Sequence, residues 1–118
     1  NCLLYQLGSR VHDHWRFGRG VSAAGVTVSG DRFCDDADVV RRWALAGLGI
    51  AYKSWLDIAF DVKAGHLKVL LGHLEGEPAP LSLMCTHRAH LGKPVQLLRN
   101  LIKDRCQVLF EQLKEVNA

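Results

Sequence analysis

Hydrophobic and polar positions follow two rhythms along this chain, a short one near its start and a helical one after it. Cys2-Leu3-Leu4-Tyr5-Gln6 predicts a first strand, ended by Gly8-Ser9. Trp15-Arg16-Phe17 predicts a second, closed by Gly18-Arg19-Gly20, and the β-branched Gly25-Val26-Thr27-Val28 a third. Arg32-Phe33-Cys34 then leads out of the Ser29-Gly30-Asp31 turn. From there the spacing changes. Asp35, Asp36 and Asp38 supply cap and first-turn acids, while Val40, Trp43, Ala44 and Gly47 recur at helical intervals. Gly47 permits a left-handed stop.

The stretch from Phe33 to Leu71 organises the rest. Gly49-Ile50-Ala51-Tyr52 is too short and too apolar for a surface helix, so it predicts a strand covered on both faces, inside a sheet. Ser54 offers an N-cap, with Asp57 three residues later as a short capping box. Trp55, Ile58, Ala59 and Val62 make the next buried stripe, which Gly65 closes. The sum is a compact αβα unit.

Leu67-Lys68-Val69-Leu70-Leu71 predicts a further strand. The following residues 72–80 carry Gly72, Gly76, Pro78 and Pro80 beside Glu75 and Glu77, and read as a surface connection. The domain boundary is expected there, with residues 1–80 on one side and 81–118 on the other. Leu81-Ser82-Leu83-Met84-Cys85 predicts another strand, residues 87–93 a polar loop, and Pro94 a first helical position. Val95, Leu98, Ile102, Leu109 and Leu113 trace one face of a long last helix. Leu97, Leu101, Val108 and Phe110 widen that face, so exposed apolar area, or a partner chain covering it, is expected.

Composition narrows the class. The 118 residues suit one modest domain, and 48% hydrophobic with 23% charged residues belongs to an ordinary folded chain. The net charge is +3 from 15 basic and 12 acidic residues, and the arginines are scattered, which gives little support to direct nucleic-acid contact. Cys2, Cys34, Cys85 and Cys106 lack the short paired spacing of zinc or thioredoxin-like sites, so reduced thiols in the cytoplasm are the expectation. No apolar run approaches the ~20 residues needed to span a bilayer, and neither a signal peptide nor a membrane partner is expected.

The order of these elements carries a resemblance. A helix leading into Ala44-Leu45-Ala46-Gly47-Leu48-Gly49-Ile50-Ala51, a second helix, then Ala64-Gly65-His66-Leu67-Lys68-Val69-Leu70-Leu71, resembles the effector-binding domain of LysR-type bacterial transcriptional regulators. Trp15-Arg16-Phe17 upstream and Pro80-Leu81-Ser82-Leu83 with a terminal helix downstream follow in the family's order. The resemblance implies an α/β fold of the type-2 periplasmic-binding-protein kind. Residues 1–80 would form most of the second subdomain, and 81–118 would return to the first. It also implies a fragment: the winged helix-turn-helix through which such proteins meet DNA, the linker helix and the first half of the effector domain would precede Asn1. The implied function is to bind a small-molecule effector in an inter-subdomain cleft, as a cytoplasmic homo-oligomer, with no cofactor, metal or catalysis.

Two positions draw the site expectation. At Tyr52-Lys53-Ser54 a strand runs straight into a helix start, whose free N–H groups lie at a strand's carboxyl end, where open α/β sheets bind ligands. Lys53 adds positive charge, suited to a small carboxylate; alternatively it is solvated or pairs with Asp57, and Ser54 merely caps. Phe33-Cys34-Asp35-Asp36 holds the matching position at the other helix start. In the resembled family that loop lines the cleft with small polar residues such as Ser-Asn-Asp, and this chain departs from them. The three acids satisfy the helix dipole and repel an anion, so pure capping is the alternative there. The expected effector-binding residues are Phe33, Cys34, Asp35, Tyr52 and Lys53. This sensor reading requires Ile50 inside the sheet and the loop tips open.

Other chemistry finds less footing. Gly47-Leu48-Gly49 follows a helix and precedes a strand, the reverse of a dinucleotide fingerprint. His12-Asp13-His14 offers two imidazoles without the rest of a metal shell. Asp35 and Asp36 oppose a reactive thiolate at Cys34. No serine lies in a nucleophile-elbow context, which leaves a small hydrolase or transferase without an acid/base set. An extracytoplasmic solute-binding protein of the same fold is the rival reading.

Overall fold

The computed structural model describes residues 1–20, 23–85 and 92–117, with side chains to residue 112. The elements run β1 (Cys2–Leu7), β2 (Arg10–His12), β3 (His14–Phe17), β4 (Ala24–Thr27), β5 (Arg32–Cys34), α1 (Ala37–Leu45), β6 (Ile50–Ala51), α2 (Trp55–Lys63) and α3 (Lys93–Asn117). They divide into two compact units, Asn1–Pro78 and Ala79–Ala118.

β1 is the centre of the first unit. Its Leu3 and Leu4 are adjacent yet both buried, which requires cover on both faces of the strand. On one side β5 pairs parallel to it, with Leu3, Leu4 and Tyr5 opposite Arg32, Phe33 and Cys34. On the other side β6 pairs parallel to Cys2 and Leu3, and β2 pairs antiparallel to Tyr5, Gln6 and Leu7. β3 and β4 form a separate antiparallel pair, with Trp15 opposite Val26. Trp15 is buried, and its indole N–H donates to the His12 carbonyl at 3.2 Å.

The strand expected inside the sheet is therefore an outer one. β6 holds two residues, pairs among the described residues with β1 alone, and leaves Ile50 46% exposed. Its backbone is fixed by register rather than by cover: Ile50 N–H donates to the Asn1 carbonyl at 3.0 Å. A Cβ on Gly49 would come within 2.5 Å of that same carbonyl, so the approach needs glycine.

Both helices of the αβα unit stop as their sequences predict. Gly47 adopts φ 72°, Gly47 N–H donates to the Ala44 carbonyl and Leu48 N–H to that of Trp43, the paired bonds of a Schellman motif. Gly65 at φ 76° does the same for α2, with Gly65 N–H on Val62 and His66 N–H on Asp61. The buried faces are Val40 on α1 and Ala59 with Val62 on α2. The two helices are tied by a fork. Arg41 Nε and one terminal nitrogen meet Asp61 at 2.6 and 2.9 Å, and Arg41 also reaches Asp38 at 3.0 Å. Hydrogen bonds from Arg42 first, then Arg41, hold the Asp38 carboxyl below its ordinary range, and Asp61 first, then Asp38, raises Arg41.

Two further strands are not formed. In residues 67–71 the chain folds back, because His66 and Leu67 both donate to the Asp61 carbonyl, and Leu71 turns at φ 57° to accept from Leu74 N–H. Leu70 and Leu71 are half exposed. Residues 81–85 also lack strand pairing: β propensity alone makes no strand without an edge to pair with. The polar loop expected at 87–93 lies outside the described residues up to position 91.

In the second unit α3 starts at Lys93, one residue ahead of Pro94. Leu97, Leu98, Leu101, Val108 and Phe110 remain exposed along it, the broad apolar surface that its pattern predicts. Val95, Cys106 and Leu109 are half-buried. The side chain of Leu113 lies outside the described set.

Candidate functional site

β5 and β6 run parallel on opposite sides of β1, so their carboxyl ends point to one edge of the sheet, and each feeds a helix there. The two helix starts are not alike. At α1 the Asp36 carboxylate accepts from Asp38 N–H at 2.8 Å and Val39 N–H at 3.4 Å, so this end already holds an anion of its own. At α2 Ser54 takes the N-cap position, but its side chain makes no capping bond, and Asp57 N–H turns to the Ser54 carbonyl instead. The capping box read from the sequence is absent. The start of α2 is thus the end that carries no side-chain cap.

Lys53 joins the two starts. Its ammonium donates to the Ala37 carbonyl at 2.8 Å and pairs with Asp57, and its side chain is only 8% exposed. It bridges the first residue of α1 to the first turn of α2. Cys34 ends β5 and Asp35 follows it ahead of α1: the Cys34 sulfur accepts from Asp36 N–H at 3.4 Å, and the thiol is directed at Asp35 Oδ1, 3.8 Å away. Phe33 is 60% exposed, and Asp35, Asp36 and Ser54 are exposed as well, so the loop tips are open.

Tyr52 faces different company. Its ring stacks on Trp15 at 5.4 Å, meets Phe17 edge-on at 5.6 Å, and lies 5.8 Å from His12. Its hydroxyl donates to the Arg16 carbonyl at 2.9 Å and accepts from Glu77 N–H. The structure brings Lys53 to the first residue of α1, and Tyr52 to β3 and residues 75–77. This aromatic cluster escapes a sequence reading, although Trp15 and Phe17 at alternate positions of one strand share a face and signal it.

The sensor requirement is met in one half only: the loop tips are open, but Ile50 is on an outer strand. What remains is the shared edge of two parallel strands, each ending at a helix start, the arrangement in which α/β proteins seat small ligands. Among the described residues no group of three or more His, Cys, Asp or Glu side chains is placed to hold a metal ion, and no helix is long and apolar enough to cross a membrane. The second unit has an open groove of about 890 Å³, lined in part by Leu81, Leu83, Ile102, Cys106 and Phe110. None of the five expected site residues contributes to it.

An α/β domain in which two parallel strands end at helix starts on one sheet edge is the class these observations define. The family model for the LysR substrate binding domain matches residues 1–107, and the chain belongs to that family. Among curated proteins of Escherichia coli K12, it is 30% identical over 70 residues to the HTH-type transcriptional activator AaeR, 31% over 71 residues to the activator TtdR, and 27% over 70 residues to the regulator DmlR. These alignments cover 59–60% of the chain and 23% of each relative, so the chain corresponds to under a quarter of their length. No solved structure matches it.

Proposed function

We propose that this chain is the effector-sensing portion of a LysR-type bacterial transcriptional regulator. The observation that carries the proposal is the family match over residues 1–107, supported by relatives named as HTH-type transcriptional regulators. In this reading a cytoplasmic dimer or larger assembly meets DNA through a helix-turn-helix outside this sequence. A small molecule then shifts the populations of two arrangements of the domain. The chain contributes no catalysis. Residues 1–80 correspond to the second subdomain, and 81–118 to the part that returns to the first. The names of the relatives favour regulation over an extracytoplasmic solute-binding role.

The effector is proposed to bind at the shared strand edge, where Phe33, Cys34 and Asp35 offer one wall and Lys53 with the open start of α2 the other. Tyr52 fixes the end of β6 from behind. A small carboxylate suits this edge: it accepts the α2 amides and takes over the Lys53 ammonium from Asp57. Asp35 remains for the donor groups of the same ligand.

A thermal-shift screen of small carboxylates tests the assignment. A ligand held at 100 times its Kd adds about 2.7 kcal/mol, a shift of several degrees for a domain of this size. That shift is expected in the wild type and lost in Lys53→Ala, read as the ligand-induced change against each protein's own baseline. Equal shifts in both proteins discard the anion site.

A further inference from the structure

Beyond α2 the chain returns across β3 as a strap, and its hold on the first unit is narrow. Gly18 N–H donates to the Glu75 carbonyl at 2.7 Å, and Phe17 and Gly76 form an isolated antiparallel bridge. Glu77 N–H donates to the Tyr52 hydroxyl. Two side-chain pairs flank these bonds, Arg19 with Glu75, and His12 Nε2 with Glu77 Oε2 at 3.3 Å. A Cβ on Gly76 would stand 2.6 Å from the Tyr52 hydroxyl, so the strap lies directly on that ring.

Residues 71–80 are all exposed, so little apolar burial retains the strap, and its polar contacts decide whether it stays. The groups around His12 are few. Tyr5 stands opposite it across the β1–β2 pair, the Tyr52 ring lies 5.8 Å away at 57°, and Glu77 reaches it from the strap. On its own segment Arg10, Asp13 and His14 are near in sequence. Of the side-chain types gathered here, imidazole is the one whose kind serves as a proton switch in the physiological range. A neutral His12 keeps at most an ordinary hydrogen bond to Glu77. A protonated one adds charge to that bond and sets a cation beside the Tyr52 ring.

We propose that residues 75–77 form a pH-dependent latch, drawn onto Tyr52 and β3 when His12 is protonated and slackened when His12 is neutral. The latch acts on the last residues of the first unit, immediately before the second begins at Ala79.

Amide hydrogen exchange of the full 118-residue chain, followed by NMR at Glu77 and Gly18 between pH 5.5 and 8 and corrected for intrinsic exchange, tests the proposal. Protection of both amides is expected to fall about two- to five-fold across the range, the size set by a part-exposed ion pair. The step should vanish in His12→Gln and in Glu77→Gln, and persist in His14→Gln and His73→Gln. Glu77 is exposed, so the second variant serves even if the first folds poorly. A flat wild-type profile, or a step that survives in either His12→Gln or Glu77→Gln, overturns the latch.

Discussion

Asp36 caps α1 and Gly47 ends it, as a helix start rich in aspartate and a glycine after the last turn predict. Gly47→Ala forces a side chain into the left-handed region, and should cost about 1–2 kcal/mol in urea unfolding. Asp38 gives a pH prediction. Its carboxyl is held low by Arg42 and Arg41, so its contribution is complete above the unfolded aspartate value, about 3.9, and is lost as pH falls through the lower folded value. Asp38→Asn should therefore lower stability at neutral pH and flatten the decline of stability below about pH 4, measured by urea titration at each pH. The Arg41–Asp61 fork was not legible, because twenty residues separate its partners and both occur among many other charged positions.

Among the elements, the strand with neighbours on both sides is β1 and not β6, and the reason is physical. Gly49-Ile50-Ala51-Tyr52 and Cys2-Leu3-Leu4-Tyr5 are both short and apolar, and composition cannot say which of two such runs has neighbours on both sides. Pairing decides it. β1 has partners on each side and β6 has one, so Leu3→Ala should cost about 2–5 kcal/mol and Ile50→Ala less than half as much, compared by urea midpoint. Residues 67–71 and 81–85 teach the same lesson, since their β-rich composition is joined to no strand. Between α1 and α2, Asp61→Asn should lower Tm more than Arg42→Gln. The first change strips a buried carboxylate from its fork, and the second removes only an exposed pair with Asp38.

At the level of the whole molecule, the order of elements along the chain points to the family, and the family match bears that out. The site was less legible. Residue order identifies the two helix starts and offers both the acid cap at the first and the Lys53–Asp57 pair at the second, but not that Lys53 also reaches the Ala37 carbonyl, nor that Ser54 leaves its helix without a side-chain cap. Those facts depend on side-chain direction, which spacing does not encode. The apolar breadth of α3 was readable, and it too has a measurable consequence. Leu98→Gln with Leu101→Gln should reduce concentration-dependent association in sedimentation velocity while leaving helix content unchanged by circular dichroism.

The pairing of β1 with β6 also bears on how the chain comes together. Cys2 and Ile50 are joined across nearly fifty positions, whereas β1 and β2 close through a two-residue turn. Loop closure over such a distance is entropically dearer and kinetically later than a hairpin. On the ribosome the hairpin can form as soon as it emerges. The parallel seam must wait for α1 to be made, and until then Leu3 and Leu4 stay open to whatever else binds unfolded chains.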